Sequence, residues 1–107
     1  MVEQTIIDRL EKEVDVLNRH LEVFVLVWQA EPIGIVELSD RTDLPHHKVR
    51  YSLRVLEEEG LIEPGSAGAM TTDRAQQFVE TLNDDLATVI DELAEMKISE
   101  SVELQSV

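Results

Sequence analysis

Four of the nine Lys and Arg residues in this 107-residue chain, Arg41, Lys48, Arg50 and Arg54, fall within fourteen positions. His46, His47 and Tyr51 lie among them, and the one acid in the span is Asp43. A guanidinium can pair bidentately with the acceptor edge of guanine or with a phosphate, and a tyrosine can reach phosphate or lie against sugar and base. These side chains could therefore read nucleic acid. Their setting makes the grouping informative. The whole chain carries a formal charge of −14, so four positive charges against one negative at 41–54 leave −17 for the remainder.

Other chemistry finds less support. Cysteine is absent, which removes disulfides, thiolate metal sites and thiol redox switching, and fits a reducing compartment. His46 and His47 are adjacent and would project about 100° apart on a helix, a poor arrangement for sharing one metal ion; His20 stands on another segment with no ligand spaced to match it. No metal and no cofactor are expected. A Gly-rich phosphate loop is missing, and no histidine, carboxylate and nucleophile stand at a supporting spacing, so the chain does not read as an enzyme. Phe24 and Trp28 could line an effector pocket between helices, although aromatic residues at that spacing are the usual content of a core.

Holding the basic residues outward requires a helix that is anchored on its other side. Pro45 suits a first helical turn, and Gly60 supplies a residue able to take a left-handed cap, which bounds a helix over 45–59. On it Val49, Ser52, Leu53 and Leu56 share one face, and His47, Arg50, Tyr51 and Arg54 the opposite one. Lys48 flanks the outer face and His46 stands at its N-terminal end. Glu57, Glu58 and Glu59 follow, so the positive charges occupy the N-terminal part alone. Before this helix, Asp43-Leu44-Pro45 reads as a turn, and 35–42 as a short helix with Ile35 or Val36, Leu38 and Leu44 facing inward. Two helices around a tight turn make a helix-turn-helix. After it, Leu61-Ile62-Glu63 and Ala69-Met70-Thr71 read as two short strands, with Pro64-Gly65-Ser66-Ala67-Gly68 as the turn between them.

Long helices flank this centre. Ile7, Leu10, Val14, Leu17, Leu21, Phe24 and Trp28 are spaced alternately three and four apart, the a/d pattern of a helix packed along a seam. From Leu21 to Trp28 the intervening Val23, Val25, Leu26 and Val27 are apolar too, which places this part in the core. The lead-in from Glu3 to Arg19 has one apolar stripe and could dock on a second subunit, with Asn18 marking a break between the two halves. Glu31-Pro32-Ile33-Gly34 ends the helix. Thr72 and Asp73 then cap a last helix over 72–98, whose Ala75, Val79, Leu82, Leu86, Val89, Leu93 and Met96 form a second seam. Beyond Ile98 no period is evident and the tail is expected to fray.

The run IGIVELSDRTDLPHHKVRYSLRVLEEEGLIEP resembles the winged helix-turn-helix core of prokaryotic transcription regulators of the PadR, MarR and ArsR kinds, most of all archaeal PadR-like ones. The resemblance covers about forty residues, Ile33 to Thr72, and Leu38, the Leu53/Leu56 pair and LEEEGLIEP carry it best. It implies a mainly α fold with a small β-hairpin: a winged helix-turn-helix whose long N- and C-terminal helices form a dimer. The implied function is that of a sequence-specific DNA-binding regulator with Lys48, Arg50, Tyr51 and Arg54 on the recognition helix. Two features depart from the pattern. Such wings often carry a basic residue at the tip, whereas PGSAGAM has none, leaving backbone N–H groups or Ser66 to make any wing contact. Arg74 stands near a place often held by glycine; it could reach DNA phosphate or pair with Asp73 or Glu80, and the pairing is the favoured expectation.

The candidate DNA contacts are therefore Arg41, His46, His47, Lys48, Arg50, Tyr51, Arg54 and Ser66. The candidate dimer contacts are Ile7, Leu10, Val14, Leu17, Val79, Leu82, Leu86, Val89, Leu93 and Met96. Double-stranded DNA and a second copy of the chain are the expected partners, with a small-molecule effector as a further candidate. A protein-interaction module on the same fold and an effector- or metal-responsive sensor are the alternative readings. Twenty-three Asp and Glu spread along the chain, with Arg outnumbering Lys six to three, resemble the composition of haloarchaeal proteins, a hydrated carboxylate surface suited to concentrated salt. With no run of about 18 apolar residues and no basic n-region at the start, the expected location is the cytoplasm, and the length suits a single domain that buries roughly 60 to 70% of its unfolded surface.

Overall fold

Thr5 opens the first helix with a reciprocal cap. Its hydroxyl accepts from the Asp8 N–H at 3.0 Å, and the Asp8 carboxylate accepts from the Thr5 N–H at 3.2 Å, so two donors that lack helical partners are satisfied together. In the computed structural model, which describes residues 5–98, this helix, α1, runs Ile6–Ala30. No Gly or Pro interrupts it, and the break expected at Asn18 does not occur: an exposed Asn costs a helix only a few tenths of a kcal/mol, about what propensity scales give. The fraying expected beyond Ile98 lies outside the described residues.

Glu31, with ψ 142, leaves the helical region just before Pro32 and ends α1. Three further helices and two strands follow: α2 (Ile35–Thr42), α3 (His46–Glu58), β1 (Ile62–Gly65), β2 (Gly68–Thr71) and α4 (Asp73–Glu95). The fold is mainly helical with one small antiparallel hairpin, as the coarse sequence reading had it. Every boundary has a local cause. Asp43, at φ 60, takes the left-handed turn after α2, and the buried Thr42 hydroxyl donates to the Leu38 carbonyl at 2.7 Å and accepts from the Leu44 N–H at 3.3 Å. Pro45 sits one place before α3 and not in its first turn; its carbonyl accepts from the Lys48 and Val49 N–H groups. At the other end Gly60, φ 75, closes α3. The Gly60 N–H donates to the Glu57 carbonyl and the Leu61 N–H to the Leu56 carbonyl, both at 2.9 Å, with the buried Leu61 and Leu56 packing beneath the motif.

The hairpin is tighter than the sequence suggested. Pro64 and Gly65 belong to β1 and pair with Ala69 and Gly68, leaving Ser66 and Ala67 as a two-residue turn. Pro64 is tolerated because β1 is the outer strand, where its missing N–H breaks no ladder. On its other side β2 meets Ile33: the Ala69 N–H donates to the Ile33 carbonyl at 2.8 Å, and the Ile33 N–H donates back to Ala69 at 3.2 Å. Gly68 allows that approach, since a Cβ there would lie 2.5 Å from the Ile33 carbonyl carbon. The Glu31 carboxylate adds bonds from the Thr71 N–H (2.8 Å) and hydroxyl (2.8 and 2.9 Å).

Two compact units divide after Ala75, inside α4. The core of the first joins Val23, Phe24 and Val27 of α1 to Leu38, Val49, Leu56, Leu61, Ile62, Ile33, Ala69 and Ala75. Leu38 points inward as expected, while Ile35 and Leu44 are half-buried and Val36 faces solvent. The second unit begins at Gln76 and consists, in its described part, of the remainder of α4 and the short turn after it.

Candidate nucleic-acid interface

α3 is held from behind. Val49 and Ser52 are fully buried, Leu56 nearly so and Leu53 half-buried, reproducing the anchored face read from the sequence. On the remaining surface His46, His47, Lys48, Arg50, Tyr51 and Arg54 are all exposed. Among the described residues none of them enters an ion pair, so their positive groups meet solvent. Glu57, Glu58 and Glu59 are exposed at the far end of the helix.

Tyr51 is exposed on this face but also makes contacts of its own. It leans back toward α1, its ring 5.4 Å from that of His20 at a 53° tilt, and the Arg54 guanidinium lies 5.4 Å over its centroid. The His20 ring is in turn joined by a 2.7 Å hydrogen bond between Nδ1 and the buried Ser52 hydroxyl. Burial, reinforced by the neighbouring Arg19 charge, lowers the His20 pKa from its ordinary 6.5. His20, Ser52, Tyr51 and Arg54 thus form a line from the α1–α3 interface to the basic surface. Sequence reasoning weighed His20 only as a metal ligand. The missed signal was Ser52, a hydroxyl on an otherwise apolar face, which once buried requires a polar partner.

Arg41 stands on α2 and not on α3. It pairs with Glu37, one helical turn earlier, at 3.5 Å, and borders an open groove with Asn18, Leu21, Glu22, Val25 and Leu26 of α1. Arg74 makes no ion pair with Asp73 or Glu80; its side chain lies over Gly60, where a Cβ would come within 2.7 Å of its Nη1. Ser66 occupies the exposed hairpin turn, which carries no cation. Phe24 is buried, with its ring 6.1 Å from that of the half-buried Trp28, so this pair is core material.

No protein-family model matches this chain, and no curated protein does. Among the described residues no three His, Asp or Glu side chains gather as a metal site would need, and no helix is long and apolar enough to cross a membrane. Of the proposed dimer contacts, Ile7, Leu10, Val14 and Leu17 on α1 and Val79, Val89 and Leu93 on α4 are exposed, as is Met96 just beyond α4, whereas Leu82 and Leu86 are half-buried.

Proposed function

We propose that this protein is a DNA-binding transcription regulator acting as a homodimer, with α3 as the recognition helix in the major groove. The observation that carries this reading is the outer face of α3. On a chain of formal charge −14, it presents Lys48, Arg50 and Arg54 with two histidines and a tyrosine, all exposed and, among the described residues, none in an ion pair, from a helix anchored by Val49, Ser52 and Leu56. The element order α2, turn, α3, hairpin and long α4 supports a PadR-like winged helix-turn-helix, in which β1 and β2 form the wing. With no cation at the hairpin turn, the wing contributes backbone N–H groups and Ser66, and α3 carries the discrimination between base pairs. Two copies would set their α3 helices in successive major grooves about 34 Å apart, on a two-fold symmetric site.

A dimer carries twice −14, or −28, so long-range attraction to DNA is poor and short-range contacts select the site. Affinity should therefore fall only gently with KCl, since few phosphates are neutralised. Anisotropy titrations across a KCl series, on fragments recovered by chromatin capture from the host, test this. Arg50→Glu and Arg54→Glu should each weaken binding by roughly tenfold or more, the worth of one bidentate base contact, while the protein stays folded. Undiminished binding by both variants would sink the recognition-helix reading. A second reading, a protein-interaction module, draws on the exposed apolar row Ile7, Leu10, Val14 and Leu17, and would be favoured if no host fragment were enriched.

A further inference from the structure

The second unit offers an apolar stripe whose two edges differ. In the frame set by Val79, Leu82, Leu86, Val89 and Leu93 as the a and d positions, which Met96 continues just past the end of α4, the g edge holds Phe78, Asp85 and Glu92, and the e edge Gln76, Asn83, Ile90 and, by the same extension, Lys97. One edge is acidic, and the other holds no acid. Lys97 follows the last turn of α4, its N–H donating to the Ala94 carbonyl at 3.3 Å. Between 37 and 70% of Val79, Val89, Ile90, Leu93 and Met96 is exposed, a continuous row and not scattered single residues.

We propose that a second copy of this chain covers the stripe, with the two α4 helices side by side and parallel. This rests on the homodimer reading and adds its direction. In a parallel pair the g edge of one helix faces the e edge of the other, five residues on. Glu92 then meets Lys97 of the second copy, twice by symmetry, and Asp85 meets the uncharged Ile90. An antiparallel pair turns g toward g. In the register that overlaps Val79 to Met96 fully, Asp85 faces Glu92 of the second copy on both sides, and like charges meet at the seam. Both arrangements bury the same a and d residues, so the edges decide between them.

Full-length protein at about 0.1 M salt, where charges are screened only beyond about 10 Å, provides the test. Glu92→Lys sets lysine against Lys97 twice in the parallel pair. It should raise the dimer dissociation constant roughly tenfold by analytical ultracentrifugation, and the exchange Glu92→Lys with Lys97→Glu should restore it. Unchanged or tighter association of Glu92→Lys, as relief of acidic crowding would produce, overturns the proposal. Because the chain has no cysteine, Met96→Cys reports direction independently. Oxidation should link two copies covalently, since d faces d in a parallel pair. Failure of that link, with a link instead between Val79→Cys and Met96→Cys chains, overturns it. A monomeric wild type would overturn both this proposal and the dimer in the proposed function. A dimer of the wrong direction would overturn this one alone, and DNA binding is read separately through Arg50 and Arg54.

Discussion

Ser52 carries a hydroxyl on the face of α3 that holds the helix down, and its bond to His20 turns a burial cost into a fixed point between α1 and α3. Removing the hydroxyl with Ser52→Ala leaves the half-buried imidazole nitrogen without its partner and should cost about 1–2 kcal/mol in chemical denaturation. The same junction sets a pH dependence. The His20 pKa is lower folded than its ordinary 6.5, so below that value the unfolded chain takes up the proton first. The contribution to stability is present above pH 6.5, shrinks as pH falls toward the lowered folded pKa, and is constant below it. Melting temperatures measured across that window should drop for the wild type and drop less for His20→Gln. None of this was legible from spacing, because residues 20 and 52 meet only through the packing of two helices. The outward placement of Lys48, Arg50 and Arg54 was legible, since helical periodicity alone opposes them to Val49 and Leu56. The contact between the His20 and Tyr51 rings was not legible, because a ring that leans across the helix flank is not represented by a wheel projection.

At the scale of elements, the ends were the most readable features wherever Pro or Gly forced them. Pro32, Pro45 and Gly60 each stand within a residue or two of an observed boundary. The hairpin was less readable because five turn-forming residues in a row, Pro64 to Gly68, fit several turns, and the pairing of β2 with Ile33 selects the tightest. Gly60 has three roles. It closes α3, its carbonyl accepts from the Thr72 hydroxyl at 2.5 Å at the start of α4, and its bare Cα lies under Arg74. Gly60→Ala should lower stability by about 1–2 kcal/mol, from forcing a Cβ into the left-handed region. Adding Arg74→Ala should recover little of this, because the clashing atom is the far end of a flexible side chain. Urea denaturation of the single and double variants measures both terms, and a full recovery would show that the contact and not the backbone sets the cost.

Over the whole molecule, charge and hydrophobicity are distributed separately. The acids are spread throughout, while α3 carries Lys48, Arg50 and Arg54 with no acid before Glu57. Buried apolar residues gather between Val23 and Ala75, and exposed ones in rows toward the two ends of the chain. The a/d spacing of α1 revealed the row but not where core gives way to open surface, since the same period runs through both. That transition has a use. The first half of α1, from Ile6 to Leu17, extends about 18 Å at a rise of 1.5 Å per residue and supplies none of the fully buried side chains. A chain beginning at Asn18 should keep its cooperative melt and its far-ultraviolet helical signal, less one shortened helix. Deletion of that segment is therefore an edit the core can survive, so descendants of this sequence could exchange the segment, and whatever it adheres to, while inheriting the α3 surface unchanged.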